Sequence, residues 1–243
     1  MVHIGCSGYN YREWKGFFYP GGLPQSKWLE FYCKYYNTVE INASFYNVPT
    51  VKSLSNWYAK TPEHFRFSLK ANKVITHYKK FVETQTLITD FYDIALKGLK
   101  DKLDCILFQL PPSLIYKQEV LDRIVEQLNP AFKNVLEFRH ASWWNEKVYT
   151  RLKSHKLIFC ITSYPGLPEE FIQTAETVYL RLHGNTELYK SNYSDKELKS
   201  FRDAIDNSMI KDSFIYFDNT WGGNAIKNAN TMQKLMDVKH NLI

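Results

Sequence analysis

The chain has 243 residues, 44% hydrophobic and 23% charged, with a formal net charge of +6. Those proportions belong to a globular chain and exclude disorder. The longest apolar runs fall far short of the ~20 residues that span a bilayer, so no membrane protein is expected.

Short β-branched and apolar runs recur, each followed by a stretch with helical spacing. The first strand is read over Val2–Cys6 and the first helix over about Pro24–Tyr36. A strand over Thr38–Asn42 precedes a helix over Val51–Lys60, and a strand over Phe65–Lys70 precedes one over Thr84–Leu99. Cys105–Leu110 and Gln118–Leu128 form the next pair, then Asn134–Phe138 and Trp143–His155. After a strand over Leu157–Thr162 the pattern weakens, because Ser163–Thr177 holds two prolines and Gly166 and has room only for a short helix. Strands over Val178–His183 and Phe214–Asn219 then alternate with helices over Ser194–Asn207 and Asn224–Asp237. Ser194 and Glu197 have capping-box spacing, and Leu128-Asn129-Pro130 reads as a helix stop.

Alternating strands and helices build a parallel sheet covered by helices. Eight units in 243 residues give about 30 residues each, the size of a βα repeat. No Pro/Ser linker divides the chain, and Gly5-Cys6-Ser7-Gly8 lacks dinucleotide-turn spacing. The expected fold is α/β, a single-domain (β/α)8 TIM-type barrel over residues 1–243 with an irregular sixth unit.

Cys6, Cys33, Cys105 and Cys160 form no close pair, and three of them lie in apolar strand-like runs. They read as reduced core thiols. With no charged-then-apolar leader before Val2, a cytoplasmic location is expected. Of 39 aromatic residues, 15 fall in the first 60 positions, more than core packing alone would concentrate there.

In such a barrel, chemistry sits at the carboxyl ends of the strands. The polar residues closing each run are Ser7, Glu40 with Asn42, Lys70, Gln109, Glu137 with Arg139, Thr162, His183, and Asp218 or Asn219. Strand alternation places Glu40/Asn42, Glu137/Arg139 and Arg181/His183 each on one face. Desolvation of a charge among the helices directs that face to the interior. A polar plug of ion pairs, Glu137 with Arg139 or Glu40 with Lys70, is the structural alternative.

Three chemistries compete for the cluster. Glu40 and Glu137 suit acid/base work, while Lys70, Arg139 and Arg181 suit a phosphate or carboxylate. Glu40, Glu137, His183 and Asp218 are a carboxylate–imidazole set for a divalent metal, but no ligand spacing on one element backs it and adjacent cations oppose it. No cofactor is therefore expected. Gly184 after His183 permits a sharp turn that leaves the imidazole accessible. His140 has the opposite parity, and His64 and His77 read as surface residues. The aromatic loop Gly8–Pro20, with Tyr9, then Phe45-Tyr46 and Trp143-Trp144, is placed over the mouth to line a sugar or base pocket. Asp218–Ala225 loosely resembles a phosphate-binding turn.

These stretches resemble the uncharacterised domain-of-unknown-function 72, or YecE-like, family. The matching residues are Ile4–Tyr9, Val39–Asn42 with Phe45-Tyr46, Phe67–Lys70, and Leu107–Pro112. Glu137–His140 with Trp143, Leu182–Gly184 and Phe217–Thr220 complete a likeness that runs from first strand to last. The resemblance implies a (β/α)8 barrel and carries no established activity, substrate or cofactor. Members often have Asn in place of Asp218, which weakens that residue as a metal ligand.

The expected function is an enzyme acting on a small anionic or sugar-like molecule. Glu40, Glu137 and His183 are the candidate catalytic residues. Tyr9, Asn42, Tyr46, Lys70, Gln109, Arg139, Trp143, Arg181 and Asn219 are the candidate substrate contacts. A nucleotide or nucleic-acid binder using the aromatic loop, and a non-catalytic ligand-binding barrel, are the alternatives.

Overall fold

The computed structural model describes residues 1–238. Eight strands form one all-parallel sheet: β1 (Val2–Cys6), β2 (Thr38–Ile41), β3 (Arg66–Lys70), β4 (Leu103–Gln109), β5 (Lys133–Glu137), β6 (Ile158–Ser163), β7 (Thr177–Leu182) and β8 (Asp212–Phe217). Their order, β1-β8-β7-β6-β5-β4-β3-β2, winds once around an axis, as the alternation of strand and helix predicts. The helices lie outside: α1 (Trp28–Tyr32), α2 (Ala43–Tyr46), α3 (Val51–Ala59), α4 (Gln85–Leu99), α5 (Gln118–Gln127), α6 (Glu146–Ser154), α7 (Asp195–Asp206) and α8 (Asn224–Leu235).

The departures from expectation are local. The predicted first helix shrinks to α1 behind a 3-10 turn at Gln25–Lys27. α6 starts at Glu146 because the Asn145 side chain accepts from the Val148 N–H at 3.2 Å. Between β6 and β7 no helix forms at all, and Gly166 turns with φ 81°. α2 and a π-helical turn at Val74–Tyr78 were not expected, and both sit at carboxyl ends of strands. The Ser194–Glu197 capping box forms as read.

Strand alternation sorts side chains into two apolar layers. Outward residues such as Leu69, Phe108, Leu136 and Leu180 pack under the helices. Inward Cys105, Leu107, Val135, Ile158, Cys160, Tyr179, Phe214 and Tyr216 fill the middle of the barrel as a separate cluster. Below them, at the amino ends, lies a charged layer. There Lys133 reaches Asp104 at 2.7 Å and Asp212 at 3.1 Å. His3 stacks on Phe214 with ring centroids 4.5 Å apart, and its burial pushes its pKa down to about 4.

The barrel closes differently at one place. β1 and β2 share a single backbone bridge, Ser7 to Glu40, and side chains supply the rest. The Tyr32 hydroxyl accepts from the Cys6 N–H at 2.7 Å and donates to the Thr38 carbonyl at 3.1 Å. Asn37 accepts from the Ile4 N–H at 3.1 Å and donates to the Val2 carbonyl at 3.0 Å. Gly5 leaves the room, since a Cβ there would stand 2.2 Å from the Thr38 carbonyl oxygen. Gly5→Ala is therefore expected to destabilise the fold by about 1–3 kcal/mol or more, the usual range for overpacking. Urea unfolding reads this out, and an unchanged midpoint would show that the seam is not tight.

The four cysteines are free thiols, with Cys6, Cys105 and Cys160 buried. Among the described residues, no helix is long and apolar enough to cross a membrane.

Candidate active site at the barrel mouth

Directly above the apolar interior, the inward side chains become charged. Arg181 on β7 is their centre and is almost completely buried. Its Nε and Nη2 donate to Glu40 at 3.0 and 2.6 Å, and its Nη1 donates to Glu137 at 2.7 Å. Tyr179 donates to the second Glu40 oxygen at 2.6 Å. Glu40 is thus occupied at both oxygens and has no exposed surface.

Glu137 is held from the other side as well. Arg139 Nη2 lies 2.8 Å from its Oε1, and so does His183 Nε2. Burial alone would raise this carboxyl's pKa, but Arg139, Arg181 and His183 outweigh burial and hold it well below the usual range. Asp218 Oδ2 stands 2.7 Å from His183 Nδ1 and 3.4 Å from Arg181. Burial opposes its ionisation, and His183, Arg181 and Lys70 again win, so its pKa is lowered.

Three members of the cluster keep a little exposed surface: Lys70, Arg139 and Asp218, each at 9%. Lys70 Nζ lies 4.5 Å from the Phe45 ring centroid and forms no hydrogen bond or ion pair with any described residue. Burial, and then Arg181, lower its pKa from 10.5 to about 8 against the pull of Glu137, Glu40 and Asp218. The Arg139 guanidinium lies 4.3 Å over the Tyr164 ring, and its Nε has no partner. Gln109 is half-buried, its amide donating to the Leu110 carbonyl, while the buried Asn42 Oδ1 is unpartnered.

Several residues stand elsewhere than expected. His183 is fully buried, and the N–H of Gly184 just after it donates to the Tyr193 hydroxyl at 2.8 Å. Tyr9 packs outward beside Tyr32 on the helix layer. The aromatic loop around it folds onto α1, with Tyr19 stacked on Trp28 at 4.5 Å, instead of lining an opening. Trp143 is core, stacked on Phe138 at 4.4 Å and donating to the Leu114 carbonyl. Tyr46 is exposed at the rim. Asn219 points away from the interior and donates to Ser191 and Asn228. In the turn after it, the N–H groups of Trp221, Gly223 and Ala225 bond to carbonyls of the chain. Glu40 pairs with Arg181 in place of Lys70.

Two residues went unrecognised. Tyr179 was hidden in an apolar run, although its inward parity marks it. His77, read as surface, packs against Phe45 at 4.9 Å, and burial with Lys70 and Arg139 nearby pushes its pKa down to about 4. Its place just after β3 was the available signal. Among the described residues, no group of three or more His, Cys, Asp or Glu is placed to hold a metal ion. Arg181 fills the space between the carboxylates. A surface depression of about 630 Å³ lies at the amino ends around Phe132, Lys133 and Thr177, away from this chemistry.

An eight-stranded parallel barrel with outer helices and a buried charged layer at its carboxyl ends is a TIM-type barrel protein. Residues 3–243 match the family model described as "Protein of unknown function DUF72", and the chain belongs to that family. It is 24% identical over 274 residues to the UPF0759 protein YunF of Bacillus subtilis (strain 168), covering 99% of this chain and 96% of that protein. The UPF0759 protein YecE of Escherichia coli (strain K12) is 24% identical over 145 residues, 59% of this chain and 50% of that one. A DUF72 family protein from Thermotoga maritima MSB8 superposes with a TM-score of 0.88 at 27% identity, covering 98% and 99% of the two chains. One from Enterococcus faecalis V583 gives 0.87 at 19% identity, covering 99% and 97%.

Proposed function

We propose that the mouth binds a small polar molecule through a carboxylate or phosphate and transfers a proton on it. One observation carries the reading: Lys70 and Arg139 each keep 9% of their surface exposed, and the Lys70 amine has no hydrogen-bond or ion-pair partner among the described residues. A buried unpaired cation is costly, and an anionic ligand offsets that cost. Asn42 and Gln109 border the same opening and orient the ligand's neutral polar groups, with Tyr46 at the rim.

The acid/base roles follow accessibility. Glu40 and Glu137 have no exposed surface and no vacant oxygen, so they act as the fixed platform for Arg181, Arg139 and His183. Lys70 changes charge around pH 8, and Asp218 alone of the three carboxylates keeps exposed surface. These two exchange protons with the ligand, and His183 positions Asp218 and Glu137.

Thermal unfolding with inorganic phosphate, oxalate and sorbitol tests the binding. Saturable stabilisation is expected from the anions only, approaching about 2.7 kcal/mol at roughly 100 times Kd. Arg139→Gln and Lys70→Met should abolish it. Equal anion stabilisation in both variants sinks the site. Product analysis on a panel of phosphorylated and carboxylated metabolites, wild type against Lys70→Met, tests turnover.

A further inference from the structure

We propose that the Lys70 amine condenses with the carbonyl carbon of a small aldehyde or ketone that also carries a carboxylate or phosphate, forming an imine. The inference rests on the anion reading of the mouth and adds a covalent bond to it.

The surroundings of Lys70 argue for a nucleophile over a counterion. A lysine that served to neutralise the buried acids would lie against one of them. Arg181, Arg139, Tyr179 and His183 already occupy the oxygens of Glu40 and Glu137. Lys70 ends β3, is nine-tenths buried on the face of Phe45, and has no partner among the described residues. Ser44 fixes the strand end from behind, its hydroxyl donating to the Lys70 carbonyl at 2.7 Å. Arg139, two residues beyond the end of β5, keeps 9% of its surface exposed and brings a second positive charge for the ligand's anionic group.

An amine attacks only when neutral, and desolvation beside other cations is how a lysine reaches that state. With its pKa pushed down to about 8, about a tenth of Lys70 is neutral at pH 7, far more than of an ordinary lysine. In the step itself the nitrogen lone pair forms the N–C bond while the carbonyl π pair moves to oxygen. A proton from the attacking nitrogen passes to that oxygen and gives a carbinolamine. A second proton, from water at the mouth, lets the hydroxyl leave as water with the C–O electron pair. The nitrogen lone pair then closes the C=N bond. Nothing is oxidised or reduced.

Reductive trapping tests the bond. The full chain is incubated with sodium cyanoborohydride and either pyruvate, for the carboxylate class, or glycolaldehyde phosphate, for the phosphate class, then mapped by peptide mass spectrometry. Lys70 is expected to gain one substituent from at least one probe, about tenfold ahead of every other lysine near neutral pH. Lys70→Arg keeps the positive charge and should carry no label at that position. Label spread evenly over surface lysines, or none on Lys70, overturns the imine. If lactate, which lacks the carbonyl, then still stabilises the wild type and not Arg139→Gln, the anion site stands alone. If no anion stabilises the wild type, both readings fall.

Discussion

Arg181→Met is expected to lower the unfolding free energy by about 3–5 kcal/mol, the cost of stranding one side of a buried ion pair. Here the loss strands two carboxylates, since Glu40 and Glu137 both lean on this guanidinium and neither touches water. Arg181→Lys restores the charge without the fork that bridges two acids, so it should recover only part of the loss. The pH dependence has a definite sign. In the wild type, Glu137 has a depressed pKa, so its contribution is present above the unfolded carboxyl value of 4.5 and is lost as pH falls below it. In Arg181→Met the stranded acids favour protonation, so the deficit should narrow as the solution is acidified toward that value. Urea unfolding across this range measures it. A deficit below about 1 kcal/mol at neutral pH would mean that the cluster tolerates the loss of its centre.

Lys70→Met should do the opposite and stabilise the protein at pH 7. A shift from 10.5 to about 8 means that the fold disfavours the charged lysine by about 3 kcal/mol, at roughly 1.4 per pKa unit. Below pH 8 both folded and unfolded lysine are charged and the penalty is complete. Above 10.5 both are neutral and it vanishes. The advantage of methionine, about 1–3 kcal/mol at neutral pH, should therefore fade between about pH 8 and 10.5. The same variant should lose the response to anions, separating stability from function at one side chain. A variant less stable than wild type at pH 7 would show that Lys70 is a structural counterion.

Parity and burial cost made much of this site legible in the sequence. A period of two along β2, β5 and β7 places Glu40, Glu137, Arg139, Arg181 and His183 on the inner face, and the structure brings them together. What parity does not carry is depth or partner choice. Arg181 and Lys70 are both inward cations, yet one is locked between acids and the other is unpaired. Composition likewise gives no direction. The aromatic first loop was read as pocket lining, but its rings find more apolar surface on α1 than over a charged opening. The lower charged layer escaped notice because Arg66, Lys133 and Asp212 begin their strands, where a charge reads as a turn residue.

The closure between β1 and β2 has a mechanical consequence. Seven junctions of the wall are backbone ladders, one of them with a register shift at Phe67/Ser68, whereas this one hangs mainly on a phenol and a carboxamide. The cylinder is in effect slit along its length and laced, so it yields along that line first. Because the lacing ends at Glu40, such breathing would widen the rim beside the charged layer without unravelling any strand from its ladder neighbour. Faster amide exchange at Ile4 and Cys6 than in β7 would be its signature.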